Sequence, residues 1–149
     1  MKRRTVLQAL AAAAVIPLVP ACLRTAAVGE AVSPIAPLNK PHEEWRALLS
    51  PRAYQILFEE ATERPESSNL VYEDRAGTFI CAACYLPLFD SAHKYESWTG
   101  WPSFTQPIAG HIATSLDFKL IKPRTEYHCA RCGGHQGHVF KDGPPPRGE

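Results

Sequence analysis

The chain lacks a surplus of either charge. Its 16 Lys and Arg stand against 15 Asp and Glu, and setting aside Lys2, Arg3 and Arg4 leaves 13 against 15, a slight acidic excess. Nucleic-acid binding needs a basic face, so that class of partner is excluded. The chain also lacks an apolar run of membrane-spanning length: the longest, from Val6 to about Val19, falls short of the ~20 residues that a span requires. Internal repeats are missing apart from two CxxC pairs, and cysteine is scarce, with five in all. At 149 residues there is room for one ordinary domain and therefore one site. Proline alone is plentiful. Its 14 copies sit in connectors such as Pro34, Pro37, Pro41 and Pro144 to Pro146, which favours short elements and ordered turns over long helices.

Residues 1–24 read as a leader. A basic start is followed by the apolar run and then by small residues, the order of a signal peptide. Arg3-Arg4 before Thr5-Val6-Leu7 resembles a twin-arginine export signal, which carries folded proteins; an ordinary secretory leader is the competing reading. Val19-Pro20-Ala21-Cys22 loosely matches a lipobox, in which Cys22 would become the acylated first residue, although Pro20 departs from that pattern. All of these readings place the mature protein outside the cytoplasm, periplasmic or held at the outer side of the inner membrane by an N-terminal lipid.

Residues 25–41, rich in Ala, Pro and Ser, read as a tether, and the domain is expected from His42 to residue 149. Glu43 to Leu49 has the apolar spacing of a short helix. Ser50-Pro51 then supplies an N-cap and a first-turn proline for a second helix running to Ala61. Beyond Pro65 the pattern changes to short β-forming runs: Thr78 to Ile80, Leu86 to Phe89, Thr114 to Leu120, Thr125 to His128 and His138 to Phe140. The expected fold is mainly β, a compact antiparallel domain with two short N-terminal helices.

Cys81-Ala82-Ala83-Cys84 and Cys129-Ala130-Arg131-Cys132 each follow an expected strand. A CxxC turn aims two sulfurs at one ion and two such turns complete a tetrahedral shell, so Cys81, Cys84, Cys129 and Cys132 are read as ligands of one structural Zn2+. The 44 residues between the pairs exceed a simple zinc ribbon, so the ion would tie distant parts of the domain together. Disulfides, or a redox-active pair, are the competing readings for an exported protein. A closed shell of four cysteines leaves no open position for substrate, so chemistry must sit elsewhere.

Two stretches offer it. Trp98 to Phe104 packs aromatics around Gly100 and Pro102 in a loop, a natural wall for a small apolar group, although a lone Trp also serves as core. His135 and His138 follow the second knuckle, with Asp142 beside the turn at Gly143-Pro144. Neutral imidazole and a carboxylate can bind and polarise an oxygen-bearing substrate. Surface histidines, or histidines competing with the cysteines for metal, are the other readings.

The ordered set is more specific than any fragment. Gly77-Thr78-Phe79-Ile80 with the first CxxC comes first, then Pro87-Leu88-Phe89, Thr99 to Phe104 and Arg124-Thr125-Glu126. The second CxxC follows, with His135 to Phe140 and Asp142-Gly143-Pro144 after it. This series resembles the methionine-R-sulfoxide reductase family, B type, in its zinc-binding form, over about Trp45 to Gly148.

The resemblance implies a compact β fold that reduces the R epimer of methionine sulfoxide, free or in oxidised proteins, with a thioredoxin-like reductant, as a monomer. It implies that Trp101 faces the substrate methyl group and that His135, His138 and Asp142 position and protonate the sulfoxide. The family's attacking cysteine lies on an RYCxNS-type strand after the Gly-Pro turn, and no such strand occurs before Glu149. With four cysteines assigned to metal and Cys22 in the leader, no thiol remains for attack. Trp98 also stands where a small residue is expected. The expectation is therefore a 149-residue chain without turnover and prone to aggregate, with Val139 and Phe140 uncovered. A reductase whose last strand is missing from these residues, a catalytically dead zinc-stabilised module binding oxidised or apolar protein segments, and a purely structural zinc domain are the three readings.

Overall fold

The computed structural model describes residues 34–148, so the expected leader and Cys22 lie outside the described residues. Two helices open the domain, α1 (His42–Leu48) and α2 (Pro51–Phe58). Ser50 caps α2 by accepting a hydrogen bond from Ala53 N at 3.2 Å, with Pro51 in the first turn, as the Ser-Pro pair predicts. The helix ends at Phe58, short of the expected Ala61. Trp45 of α1 and Tyr54 and Leu57 of α2 form the buried face of the pair, with Phe58 stacked on Trp45 at 5.4 Å between ring centroids. Among the described residues no helix is long and apolar enough to cross a membrane.

The described part of the expected tether is not a free linker. Ile35 packs against the core, and Leu38 N donates to Arg131 O at 2.5 Å. The domain's contacts therefore begin before His42, because an apolar Ile finds the core and a backbone donor finds a partner on the second cysteine knuckle.

The strands that follow among the described residues are short and all paired antiparallel. β1 (Thr78–Ile80) pairs with β2 (Pro87–Asp90), and β3 (Lys94–Tyr95) pairs with β4 (Ser103–Phe104). β5 (Ile112–Asp117), β6 (Arg124–Cys129) and β7 (His135–Val139) form a three-stranded sheet with β6 at its centre. The β architecture agrees with the sequence expectation in kind and differs in detail. β3 and β4 are additions to the expected set, since two-residue strands carry no readable period. The run expected to continue to Leu120 stops at Asp117, whose carboxylate accepts Lys119 N at 2.8 Å and turns the chain. Phe118, Leu120 and Ile121 are consequently exposed at the hairpin tip.

The core sits between the helices and the first two strands, where Leu86, Leu88 and Cys81 are fully buried. Phe89 links it to the other two sheets, stacking on Phe104 at 4.3 Å and meeting Tyr127 edge-on at 5.9 Å. One glycine of β7 permits close approach: Gly137 lies beneath Tyr127, whose hydroxyl would be 2.9 Å from any Cβ there.

Candidate functional site

The two CxxC segments adopt the same backbone. Cys81 N donates to Leu86 O at 2.8 Å and Tyr85 N to Cys81 O at 2.9 Å; Cys129 N donates to Gly134 O and Gly133 N to Cys129 O, both at 2.9 Å. The fifth residue of each turn is left-handed, Tyr85 at φ 58° and Gly133 at φ 75°. β1 delivers one turn and β6 the other, so four sulfurs converge within 4.8 Å of one another. Cys81 and Cys132 are 3.6 Å apart and Cys84 and Cys129 3.5 Å. A disulfide requires ~2.05 Å, and all four are free cysteines. A tetrahedron of sulfurs at ~2.3 Å from a central ion has edges of ~3.8 Å, so the spacing suits a metal. Without a cation the sulfurs cannot all ionise: hydrogen bonds from Cys132 and Cys81 draw Cys129 down, and their bonds to Cys129 push Cys81 and Cys132 up. A bound cation relieves that conflict.

The histidines owe their arrangement to an irregularity in β7. Side chains alternate across a strand, so residues three apart normally face opposite sides. Here His128 is opposite His135 and Tyr127 opposite Gly137, which leaves Gln136 as an extra, unpaired residue. That bulge returns the alternation to step and puts His135 and His138 on one face. Their rings meet at 5.3 Å between centroids, inclined by 62°. Arg124, Glu126 and His128 of β6 and Ser115 and Asp117 of β5 share this face.

Each imidazole is held from behind. His135 Nδ1 lies 2.7 Å from Glu126 Oε1, and Ser115 donates to the other carboxylate oxygen at 2.6 Å. His138 Nε2 lies 2.8 Å from Asp117 Oδ2, which also receives Arg124 at 2.6 Å. The Lys119 backbone N–H, then His138 and Arg124, hold the Asp117 carboxyl well below the usual range. Burial works to raise Glu126, but hydrogen bonds from Ser115 and His135 outweigh it and leave the group below its ordinary value. Both carboxylates are therefore ionised at neutral pH, and the nitrogen facing each carries a proton. The opposite nitrogens, His135 Nε2 and His138 Nδ1, make no hydrogen bond among the described residues.

The other residues named from sequence make no hydrogen bond to this pair. Trp101, 36% exposed, donates from Nε1 to Glu63 O at 3.0 Å. Its loop is fixed by Gly100, which accepts Glu66 N at 2.7 Å and has φ 86° with no room for a Cβ against Pro65. Trp98 is 90% exposed and left-handed, its N–H held by Glu96. Asp142 is exposed beyond β7 and hydrogen-bonds to neither histidine; the carboxylates that do are Glu126 and Asp117. Asp117 and Ser115 line this face without being singled out in the sequence, while Arg124 and Glu126 stand in the Arg124-Thr125-Glu126 motif without a role assigned to them there. The alternation of Arg124, Glu126 and His128 along one strand is the readable signal for half of this face.

The acid behaviour of the face follows from its sign. A carboxyl depressed in the native state contributes stability that is full above about pH 4 and declines as the pH falls below the unfolded value toward the native one. Asp117→Asn should lower the melting temperature at pH 7, and its deficit relative to the unaltered protein should shrink steadily between about pH 4 and pH 2. Thermal unfolding across that range measures it, and a deficit constant with pH would show that the carboxylate is not held ionised by its partners.

Residues 49–149 match the SelR domain family. The chain is 50% identical over 110 residues to a peptide methionine sulfoxide reductase MsrB of Bradyrhizobium diazoefficiens, covering 73% of this chain and 79% of the relative. It is 45% identical over 113 residues to the protein of that name from Methanosarcina barkeri, covering 75% and 80%, and 48% identical over 112 residues to that of Pseudomonas putida, covering 74% and 84%. Joined to an antiparallel β domain with four converging cysteines, these matches place the chain by descent: it belongs to the methionine-R-sulfoxide reductase family of the B type.

Proposed function

We propose that the paired imidazoles on the polar face of the β5–β6–β7 sheet hold the oxygen of a methionine-R-sulfoxide, and that the chain acts as a peptide-methionine (R)-S-oxide reductase on free or protein-bound substrate. The observation that carries this reading is the shared placement of His135 and His138, each braced by an ionised carboxylate and each with one nitrogen left for a ligand. Trp101 supplies the apolar wall for the methyl group, and Asp142 is kept as a third polar contact for bound sulfoxide. Choosing one epimer requires a polar corner and an apolar wall in fixed relation.

In this chemistry a thiolate sulfur bonds to the sulfoxide sulfur while the oxygen takes a proton from an imidazole protonated on both nitrogens. Transfer of the oxygen releases methionine and leaves the attacking cysteine as a sulfenic acid. A second thiol then forms a disulfide with it and expels water, and a thioredoxin-like protein reduces that disulfide. The described residues furnish the binding and protonating half; their four thiols are all in the cluster. A second reading is a module that recognises sulfoxide without reducing it. Equilibrium binding and a dithiothreitol-driven assay on the 149-residue polypeptide separate the cases. The R epimer should bind at least ~10-fold tighter than the S epimer and lose that preference in His138→Ala. Equal binding of both epimers, or none, would sink the sulfoxide site; turnover would sink the module.

Cys81, Cys84, Cys129 and Cys132 would hold Zn2+, which supplies no reaction step and fixes two knuckles to each other. Purified protein should contain one zinc per chain, and its removal by chelation should cost on the order of 4 kcal/mol for metal a thousandfold above its dissociation constant. Protein with no bound metal and unchanged stability would refute this.

Residues 1–24 are proposed to direct export, with Cys22 as a site of lipid attachment. The support is the basic start, the apolar run and the small residues before Cys22. Mass spectrometry of the mature N-terminus should find a chain lacking the leader, and an intact Met1 in cells would rule export by this route out.

A further inference from the structure

Gln136 belongs to two structures at once. It is the extra residue of the β7 bulge, the one whose insertion turns His135 and His138 to a common face. Its side-chain amide reaches the other way, donating to Gly134 O at 3.1 Å and to the Cys81 sulfur at 3.7 Å, across 55 positions of sequence. Cys81 is completely buried, and beside the backbone N–H groups of Ala83 and Cys84 in its own knuckle the Gln136 amide is a donor that reaches it from the other sheet. An N–H donor directed at a metal-bound thiolate withdraws negative charge from the sulfur and strengthens the site, as outer partners of metal ligands generally do.

From these contacts we infer that Gln136 is a positioning residue that couples the four-cysteine metal centre to the histidine pair. The inference rests on metal at the cysteines and, for its catalytic meaning, on the sulfoxide reading above. A bulge residue without a ladder partner is held chiefly by its side chain. Here that side chain is fastened to a ligand on the far knuckle, so the metal centre fixes the place where the strand steps out of register. The step in turn fixes both imidazoles against Glu126 and Asp117. An amide is the side chain this requires: a carboxylate would repel the thiolate, and an apolar group of equal size would fill the space without donating.

The test uses Gln136→Leu in the 149-residue polypeptide loaded with Co2+. Loss of the donor should move the cobalt–thiolate charge-transfer band to longer wavelength and weaken metal binding about 10-fold. The imidazole nitrogen resonances of His135 and His138 should shift, while those of His42, His93 and His111 stay in place. An unchanged band and affinity would overturn the proposal, as would altered metal properties with both histidine signals unmoved. Should the variant fail to fold, the unaltered protein loaded with cadmium supplies an independent reading. Scalar coupling between the Gln136 amide proton and cadmium is expected across the N–H to sulfur contact, and its absence overturns the proposal. None of these readouts uses sulfoxide. A protein that passes them and binds neither epimer would lose the reductase reading and keep the coupling.

Discussion

Everything in this domain hangs on four sulfur atoms meeting in one place. The β1–β2 hairpin and the β5–β6–β7 sheet share no hydrogen-bonded ladder. They touch through Phe89 and Tyr127 and through the cysteine knuckles, while Ile108, in the segment leading to β5, donates its N–H to Leu88 O. A small chain buries proportionally little surface, and its fully buried large side chains here are few: Leu86, Leu88 and two of the cysteines themselves. Half of that innermost group is therefore cysteine able to bind metal, and an ion shared by both knuckles would supply the link that a larger apolar core would otherwise provide. The same logic explains why both turns use a left-handed residue. Each must reverse within five residues to aim two sulfurs at one point, and Tyr85 accepts a conformation that its counterpart Gly133 adopts freely.

The polar face of the sheet is the second consequence. Polar side chains from three strands lie together, a costly arrangement unless each donor meets an acceptor. Ser115, Glu126 and His135 form one chain of contacts; Lys119 N, Arg124, Asp117 and His138 form the other. Among the described residues Arg124 Nε is the buried exception, without a partner there while the same guanidinium holds Asp117. Networks whose members are nearly all satisfied fix the geometry of their side chains. Their outward product is two imidazole nitrogens with no internal partner, held at a defined separation.

What is legible in the sequence and what is not divides along a physical line. Features written in adjacent residues can be read directly: the Ser50-Pro51 start of α2, the paired CxxC turns, the strands that feed them, and His135 with His138 as candidates. Features created by pairing cannot. The bulge at Gln136 exists only because His128 and Tyr127 choose particular partners on β7, and nothing local in His-Gln-Gly-His announces it. Asp117 becomes a partner of His138 through two ladders, 21 positions away, while Asp142, only four residues off in sequence, makes no bond to it. Proximity in sequence misleads because a strand carries its residues away from one another at ~3.3 Å per step, whereas neighbouring strands bring remote residues to ~5 Å. The hairpin tip departs from expectation for a related cause: Phe118 and Leu120 have strand-forming chemistry, yet the ladder has already closed at the Asp117–Arg124 pair.

The chain from Cys132 to His138 shows why metal and polar face cannot be considered apart. It leaves the second knuckle through Gly133, passes Leu57 at Gly134, sets His135 on Glu126, steps out at Gln136, slips under Tyr127 at Gly137 and sets His138 on Asp117. Gly133 holds a left-handed φ of 75°, and Tyr127 leaves no room for a side chain at Gly137. A ribbon so constrained at both ends has little freedom to adjust one function without disturbing the other. A closed cysteine shell, though it offers no coordination site to a substrate, thereby governs where the imidazoles stand.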